Sequence, residues 1–208
     1  MNSFAIIPAA GISERMGHPK LLLPWRGEPL LTNLLRAWQA GGVSQRVVVL
    51  RPEATELQTI CQQEGATVCL LPRPTPDMKA TVQFGLDFVE RHFSPGENAA
   101  WLLAPADQPQ LSAKIVQHLL ATWKLSSRGV TVAAPVILVP TLAGRRGHPV
   151  LFPWQLAAEV GQLEAQEGVK ALLARFTCQE LACDAIEPAG LASFADVDTP
   201  ADFEQLPR

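Results

Sequence analysis

Five short runs of almost unbroken hydrophobicity, separated by longer stretches, constrain this chain more than any other feature. They lie at residues 4–8, 46–50, 67–71, 99–104 and 130–134 and consist mainly of Val, Ile, Leu and Ala. A strand wetted on one side alternates polar and apolar residues, whereas a strand covered on both sides does not. The runs therefore predict buried strands of a parallel sheet. The intervening stretches carry helical periodicity. Leu30, Leu31, Leu34, Leu35 and Trp38 share one face, and Val82, Leu86, Val89 and Phe93 a second. Ile115, Val116, Leu119, Leu120 and Trp123 form a third, with Ser112 placed to cap that helix. Strand–helix alternation over residues 4–134 predicts βαβ units in a doubly wound, mostly parallel α/β sheet. In such sheets ligands bind beyond the carboxyl ends of the strands. That rule singles out the loop after the first strand, residues 73–78 and residues 105–110.

Beyond residue 134 the rhythm changes. Pro135, Pro140, Pro149 and Pro153 break the segment, and a Gly-Arg-Arg-Gly turn occupies 144–147. Two short strands are expected around that turn, then helices near 154–160 and 169–176. The run Thr199-Pro200-Ala201-Asp202 fits a capping box with Pro at the first helical position. No repeat or linker interrupts the chain, so residues 1–208 are expected to form a single domain.

Composition limits the partners. The net charge of −3 leaves no electrostatic footprint for nucleic acid, and Lys and Arg are too scattered to meet an anionic membrane surface. Hydrophobic residues make up 48% and charged residues 18%, which excludes a disordered chain. The amino terminus has no basic run before its apolar segment, and no stretch reaches the length of a membrane span, so a cytoplasmic location is expected. The four cysteines form no Cys-x-x-Cys pair and are expected to be reduced thiols.

Four segments carry chemistry. The first is Ala9-Ala10-Gly11-Ile12-Ser13-Glu14-Arg15-Met16-Gly17-His18-Pro19-Lys20. Small residues after a strand let a ligand approach the backbone, and glycines permit positive φ, so that successive amides can point at phosphate oxygens. Arg15 and Lys20 add positive charge. The spacing is neither that of a Walker A loop nor that of the dinucleotide fingerprint. The second is Ala106-Asp107-Gln108-Pro109, where Asp107 is a candidate Mg²⁺ ligand. The third, Gly144-Arg145-Arg146-Gly147-His148-Pro149, offers Arg146 and a titratable His148. The fourth, Asp196-Val197-Asp198-Thr199, sets two carboxylates just before a helix, where they serve either the helix terminus or a metal.

Together these segments resemble the MobA-like nucleotidyltransferases, in particular the molybdenum cofactor cytidylyltransferases. The resemblance starts at Pro8-Ala9-Ala10-Gly11 and runs through Arg15-Met16-Gly17 and Lys20. It continues through Met78-Lys79-Ala80-Thr81-Val82 with Gly85-Leu86, then Ala106-Asp107-Gln108-Pro109, Arg146-Gly147-His148-Pro149 and Asp196-Val197-Asp198-Thr199-Pro200. It implies a three-layer, Rossmann-like nucleotidyltransferase fold and Mg²⁺-dependent transfer of CMP from CTP to the phosphate of molybdopterin-bound cofactor. By the same resemblance, Ala9, Ala10, Gly11 and Thr81 line the nucleotide, and Arg15 and Lys20 hold its phosphates. Asp107 ligates Mg²⁺ with Asp196 or Asp198, and Arg146 and His148 face the acceptor. Ala-Ala-Gly accompanies cytidine in this family, whereas guanylyltransferases tend to have Ala-Gly-Gly. Glu14 fills a slot often small in the family and Ala106 replaces a common Gly, and both bear on the pocket rim. A molybdoenzyme or its accessory protein is the implied macromolecular partner. The rival readings are a transferase acting on a sugar or alcohol phosphate, a non-catalytic cofactor carrier, and a recruited NAD(P)H-linked reductase. Neither of the last two needs the triphosphate grip of Arg15, Lys20 and Asp107.

Overall fold

The computed structural model describes residues 2–13, 16–126, 134–187 and 190–207. Its centre is an eight-stranded sheet in the order β10 (Thr177–Ala182), β7 (Val136–Leu142), β9 (Val150–Pro153), β6 (Ala100–Leu103), β1 (Ser3–Pro8), β4 (Gln45–Leu50), β5 (Thr67–Leu70), with β8 (Arg145–Arg146) paired to β7, while β2 (Pro24–Trp25) and β3 (Glu28–Pro29) pair apart from it. β1 (Ser3–Pro8), β4 (Gln45–Leu50), β5 (Thr67–Leu70) and β6 (Ala100–Leu103) are the first four predicted strands, shifted by a residue or so at their ends. The pairs β1–β4, β4–β5 and β1–β6 are parallel. α1 (Leu30–Ala40), α3 (Met78–Phe93) and α4 (Ala113–Ser126) carry the three predicted apolar faces. The Ile115 N–H lies 3.4 Å from the expected Ser112 cap oxygen.

Alternate residues of β1 explain why its sequence shows no alternation. Ala5 and Ile7 pack with Leu31, Leu34, Trp38, Ile115 and Leu119 beneath one face. Phe4 and Ile6 pack with Val82, Leu86 and Val89 of α3 on the other. Helices thus cover both faces and give three layers. α3 lies close to the sheet because residue 85 is glycine. A Cβ there would stand 2.8 Å from the Val49 side chain and 3.2 Å from that of Ile6.

The carboxyl-terminal third shows where sequence patterning falls short. Of the predicted strand at 130–134, only Ala134 is described, and it lies in a bend. The strand that enters the sheet is β7 (Val136–Leu142), which turns at Ala143–Gly144 into β8 (Arg145–Arg146). β9 (Val150–Pro153) then runs antiparallel between β7 and β6. The expected helices near 154–160 and 169–176 are broken 3₁₀ turns, Trp154–Leu156, Ala158–Gln162 and Val169–Ala171, followed by the one-turn α5 (Leu172–Arg175). β10 (Thr177–Ala182) pairs parallel with β7 and carried no apolar signal, since it is an edge strand with mostly exposed side chains. α2 (Thr55–Gln63) also escaped the periodicity reading, because it buries only Leu57 and Cys61. α6 (Pro200–Glu204) has the expected capping box, with Pro200 in its first turn. Among the described residues, no helix is long and apolar enough to cross a membrane.

Candidate active site

Strand order reverses at β1, whose neighbours β4 and β6 are reached in opposite directions along the sheet. The loops leaving β1 and β6 lie side by side at the carboxyl ends of these strands and line one crevice. The first loop folds back on itself. Ser13, at φ +55°, accepts the Met16 N–H through its carbonyl at 2.9 Å, and its hydroxyl oxygen accepts the Lys20 N–H at 3.2 Å. Gly17 takes the positive φ expected of it, whereas the other positive φ of the loop falls on Ser13 rather than on Gly11. A Cβ at Gly11 would meet nothing within 4 Å among the described residues, so none of them dictates glycine there. The space beside it belongs to the crevice.

Lys20 is the hub. Its Nζ lies 2.7 Å from Asp107 Oδ2 and 3.1 Å from Asp198 Oδ1, and these groups come from three distant parts of the chain. All three side chains are at least half buried, which strengthens the pairing over that of a surface bridge. Asp107 Oδ1 is buried and has no hydrogen-bond partner among the described residues. The Val197 N–H donates to Asp107 O at 2.8 Å, clamping the two acidic segments together. Asp202 fixes the second segment, since its Oδ2 accepts the N–H groups of Asp198 (3.1 Å) and Thr199 (2.7 Å). Val197, Leu206, Trp25 and Leu30 pack together and anchor that segment on the protein.

Asp196 points elsewhere. Its Oδ1 accepts from Gln108 Nε2 at 2.8 Å, and His148 lies near enough to feel its charge. Although Asp196 is exposed as a residue, desolvation of its carboxyl raises its pKa. The Gln108 hydrogen bond opposes that rise, and Asp107 adds to it. Burial depresses the His148 pKa, opposed by the Leu103 carbonyl and by Asp196 and Asp107. The His148 Nδ1–H donates to Leu103 O at 3.2 Å, so a neutral ring keeps Nε2 as an acceptor. Residue 147 is glycine because any Cβ would collide with the Phe194 ring. That close approach brings His148 to the Asp196 segment.

The cleft beside Lys20 holds about 310 Å³ and is lined by Pro8, Ala9, Ala10, Gly11, Thr75, Met78, Thr81 and Asp107, among others. All three predicted loops meet there. Across the Gly11–Lys20 loop lies a second cleft of about 290 Å³, bounded by Arg51 and the start of α2. Among the described residues, no three His, Cys, Asp or Glu side chains form a metal cage. One or two carboxylates suffice for Mg²⁺, which draws its remaining ligands from substrate phosphates and water. The unpartnered Asp107 oxygen, with Asp198 across a shared cation, fits that requirement.

Residues 5–181 match the family model described as the MobA-like NTP transferase domain. The chain belongs to this family. The MobA-like chain is 26% identical over 202 residues to the molybdenum cofactor cytidylyltransferase of Escherichia coli, covering 95% of this chain and 92% of that one. It is 27% identical over 206 residues to the nicotine blue oxidoreductase of Paenarthrobacter nicotinovorans, covering 98% and 94%. The bifunctional protein GlmU of Kineococcus radiotolerans is 30% identical over 143 residues, 67% of this chain but only 28% of that longer protein. The Mycobacterium tuberculosis protein Rv0371c in complex with manganese superposes with a TM-score of 0.74 at 24% identity, covering 99% of this chain and 98% of that one. The fold is thus the Rossmann-like one of nucleotidyltransferases.

Within this MobA-like site the structure brings together Ala9, Ala10, Gly11, Lys20, Thr81, Asp107 and Asp198. Arg15 lies outside the described residues. Arg146 is not at the cleft. It pairs with Glu180 at 2.7 Å on the exposed face of β8 and lines a separate, shallow hollow with Gln166, Gly168 and Lys170. Two residues escaped the sequence reading. Gln108, 3% exposed, holds Asp196, and Thr75 bonds to Thr81. A Gln following the candidate metal ligand was a usable signal for the first. Thr75 had none, because its partner lies across a helix start.

Proposed function

We propose that the chain, as a single domain spanning residues 1–208, transfers CMP from CTP to the phosphate of a small acceptor, the molybdopterin cofactor, and releases pyrophosphate. One observation carries the reading: Lys20 sits between Asp107 and Asp198 in the cleft at the point where strand order reverses. The acceptor phosphate oxygen forms a bond to the α-phosphorus as the α–β bridging bond breaks, and pyrophosphate departs with the electron pair. Anion attacks anion here, so the site must supply fixed positive charge before reaction. Lys20 holds the triphosphate, with Ala9–Gly11 backing it closely. Asp107 and Asp198 are the residues that would hold Mg²⁺, which would supply positive charge to the phosphates and the leaving group. An ionised phosphate nucleophile requires no general base. His148, through Nε2, orients the acceptor from the far side of Asp107.

The Ala9-Ala10-Gly11 start supports cytidine, and similarity to the cytidylyltransferase over nearly the whole chain supports the acceptor. Likeness to the nicotine blue oxidoreductase favours a second reading, nicotinamide-linked reduction. The Lys20–Asp107–Asp198 cluster has no use in hydride transfer and weighs against it. The test is pyrophosphate release from CTP, GTP, UTP and ATP with Mg²⁺, with molybdenum cofactor or a sugar phosphate as acceptor. Release that depends on CTP and on the cofactor is the expected result. NADPH consumption without triphosphate turnover would establish the second reading instead.

A further inference from the structure

One wall of the cleft carries two linked hydrogen bonds that can be made together in only one direction. Thr81, 4% exposed, sits in the first turns of α3, with its Oγ1 3.1 Å from the Asp77 carbonyl. A carbonyl has no proton to give, so Thr81 spends its only hydroxyl proton there. Thr75 Oγ1 lies 2.6 Å from Thr81 Oγ1. With the Thr81 proton committed, this second bond exists only if Thr75 donates it. The Thr75 oxygen then has lone pairs, and no proton, to offer the cleft that it lines. Asp77 adds no donor, because its carboxylate Oδ1 accepts the Ala80 N–H at 2.7 Å to cap α3. Met78, 51% exposed, supplies an apolar surface beside the pair.

In the functional reading above, on which this inference rests, the triphosphate lies at the Lys20 and Asp107 side. The wall formed by Thr75, Met78 and Thr81, with the Asp77 carboxylate turned to cap α3, is left for the nucleobase. We propose that Thr75 is a specificity-determining residue, whose hydroxyl oxygen acts only as an acceptor and selects bases with an exocyclic amine. Cytosine carries an amine at C4 where uracil carries a carbonyl, and adenine and guanine differ in the same way at C6. An amine donates to Thr75. A carbonyl there opposes oxygen to oxygen and forfeits its hydrogen bond with water, a loss the site does not repay. Thr75 therefore acts through its partner: Thr81 sets the direction of the proton, and Thr75 reads the base.

Calorimetric titration of the full chain with CTP and UTP in the presence of Mg²⁺ tests this, with ATP and GTP as a second matched pair. Wild type is expected to bind CTP about tenfold or more tighter than UTP, which corresponds to about 1.4 kcal/mol. Thr75→Val should bring the two within about threefold, and Thr75→Ser should keep the preference. Thr81→Val removes the acceptor that captures the Thr75 proton, so Thr75 becomes free to donate and UTP should draw level with CTP or pass it. General damage to the cleft weakens both nucleotides and leaves their ratio intact. A CTP-to-UTP ratio unchanged in Thr75→Val overturns the inference while the transferase reading stands, and a wild type that binds both equally overturns the inference and the cytidine part of that reading. A wild type that binds no triphosphate overturns that reading and the inference with it.

Discussion

Lys20 faces two demands that it cannot meet at once, from the carboxylates it pairs with and from a triphosphate. Its ammonium bridges Asp107 and Asp198, yet a triphosphate asks for the same charge. If the two carboxylates hold a divalent ion during turnover, Lys20 occupies part of that ion's electrostatic place in the free protein and moves to phosphate when metal and nucleotide arrive. Replacing it should therefore have opposite effects on two ligands. Lys20→Met is expected to bind Mn²⁺ alone more tightly than wild type, read by the free-ion signal in electron paramagnetic resonance, and to bind CTP more weakly. Equal or weaker Mn²⁺ binding in the variant would show that the ammonium does not compete. Turnover of Lys20→Met and of Asp107→Asn should each fall by roughly 10²-fold or more, the cost typical of losing a preorganised charge. Cys61 is a control at the same scale. It is fully buried, and desolvation pushes its thiol up to about 12, so Cys61→Ser should leave the rate unchanged.

At the level of elements, α6 matters less as a helix than as a peg. It has five residues, too few to be stable alone, and its capping box holds the Asp198 segment in place. Thr199→Ala removes the side-chain acceptor of the Asp202 N–H. The expected loss is about 1 kcal/mol of stability by urea titration, together with weaker CTP binding, because Asp198 loses its support. A loss of stability with unchanged affinity would show that Asp198 is positioned independently of the cap. The same element was legible in the sequence, because a capping box is a local pattern four residues long. The first four strands and three of the helices were legible too, since each buries a face that one helix or strand period can display. β10 and α2 were not, because an edge strand and a helix with two buried residues leave almost no periodic trace.

For the whole molecule, the buried contact between His148, in the turn before β9, and Leu103 of β6 makes stability sensitive to acid. Burial depresses the His148 pKa below its ordinary value of about 6.5. Above that pH the ring is neutral in both folded and unfolded chains. On acidification the unfolded chain takes up the proton first, so folding stability falls as pH drops through about 6.5 and levels off once the folded ring is protonated. Asp196 shifts in the opposite sense and acts in the more acidic carboxylate range, where it holds its proton better folded than unfolded. Melting temperatures recorded between roughly pH 7.5 and 5 should fall with acid in wild type and be flatter in His148→Gln. An identical slope in both would remove His148 from the account.

The sequence by itself determined the sheet core and the loop that leaves β1, and it singled out Lys20 and Asp107 as candidates, because those signals are local: unbroken apolar runs, small residues and a carboxylate just past a strand. Tertiary structure alone decided which of two acidic residues joins them. Asp196 and Asp198 are two positions apart and chemically identical, and only the packing of Val197 between them turns one carboxylate to Lys20 and the other to Gln108. It likewise separated Arg146 from His148, neighbours in the sequence that a strand and its turn send to different surfaces. Direction in space is set by contacts between residues far apart in the chain, and no local pattern records it.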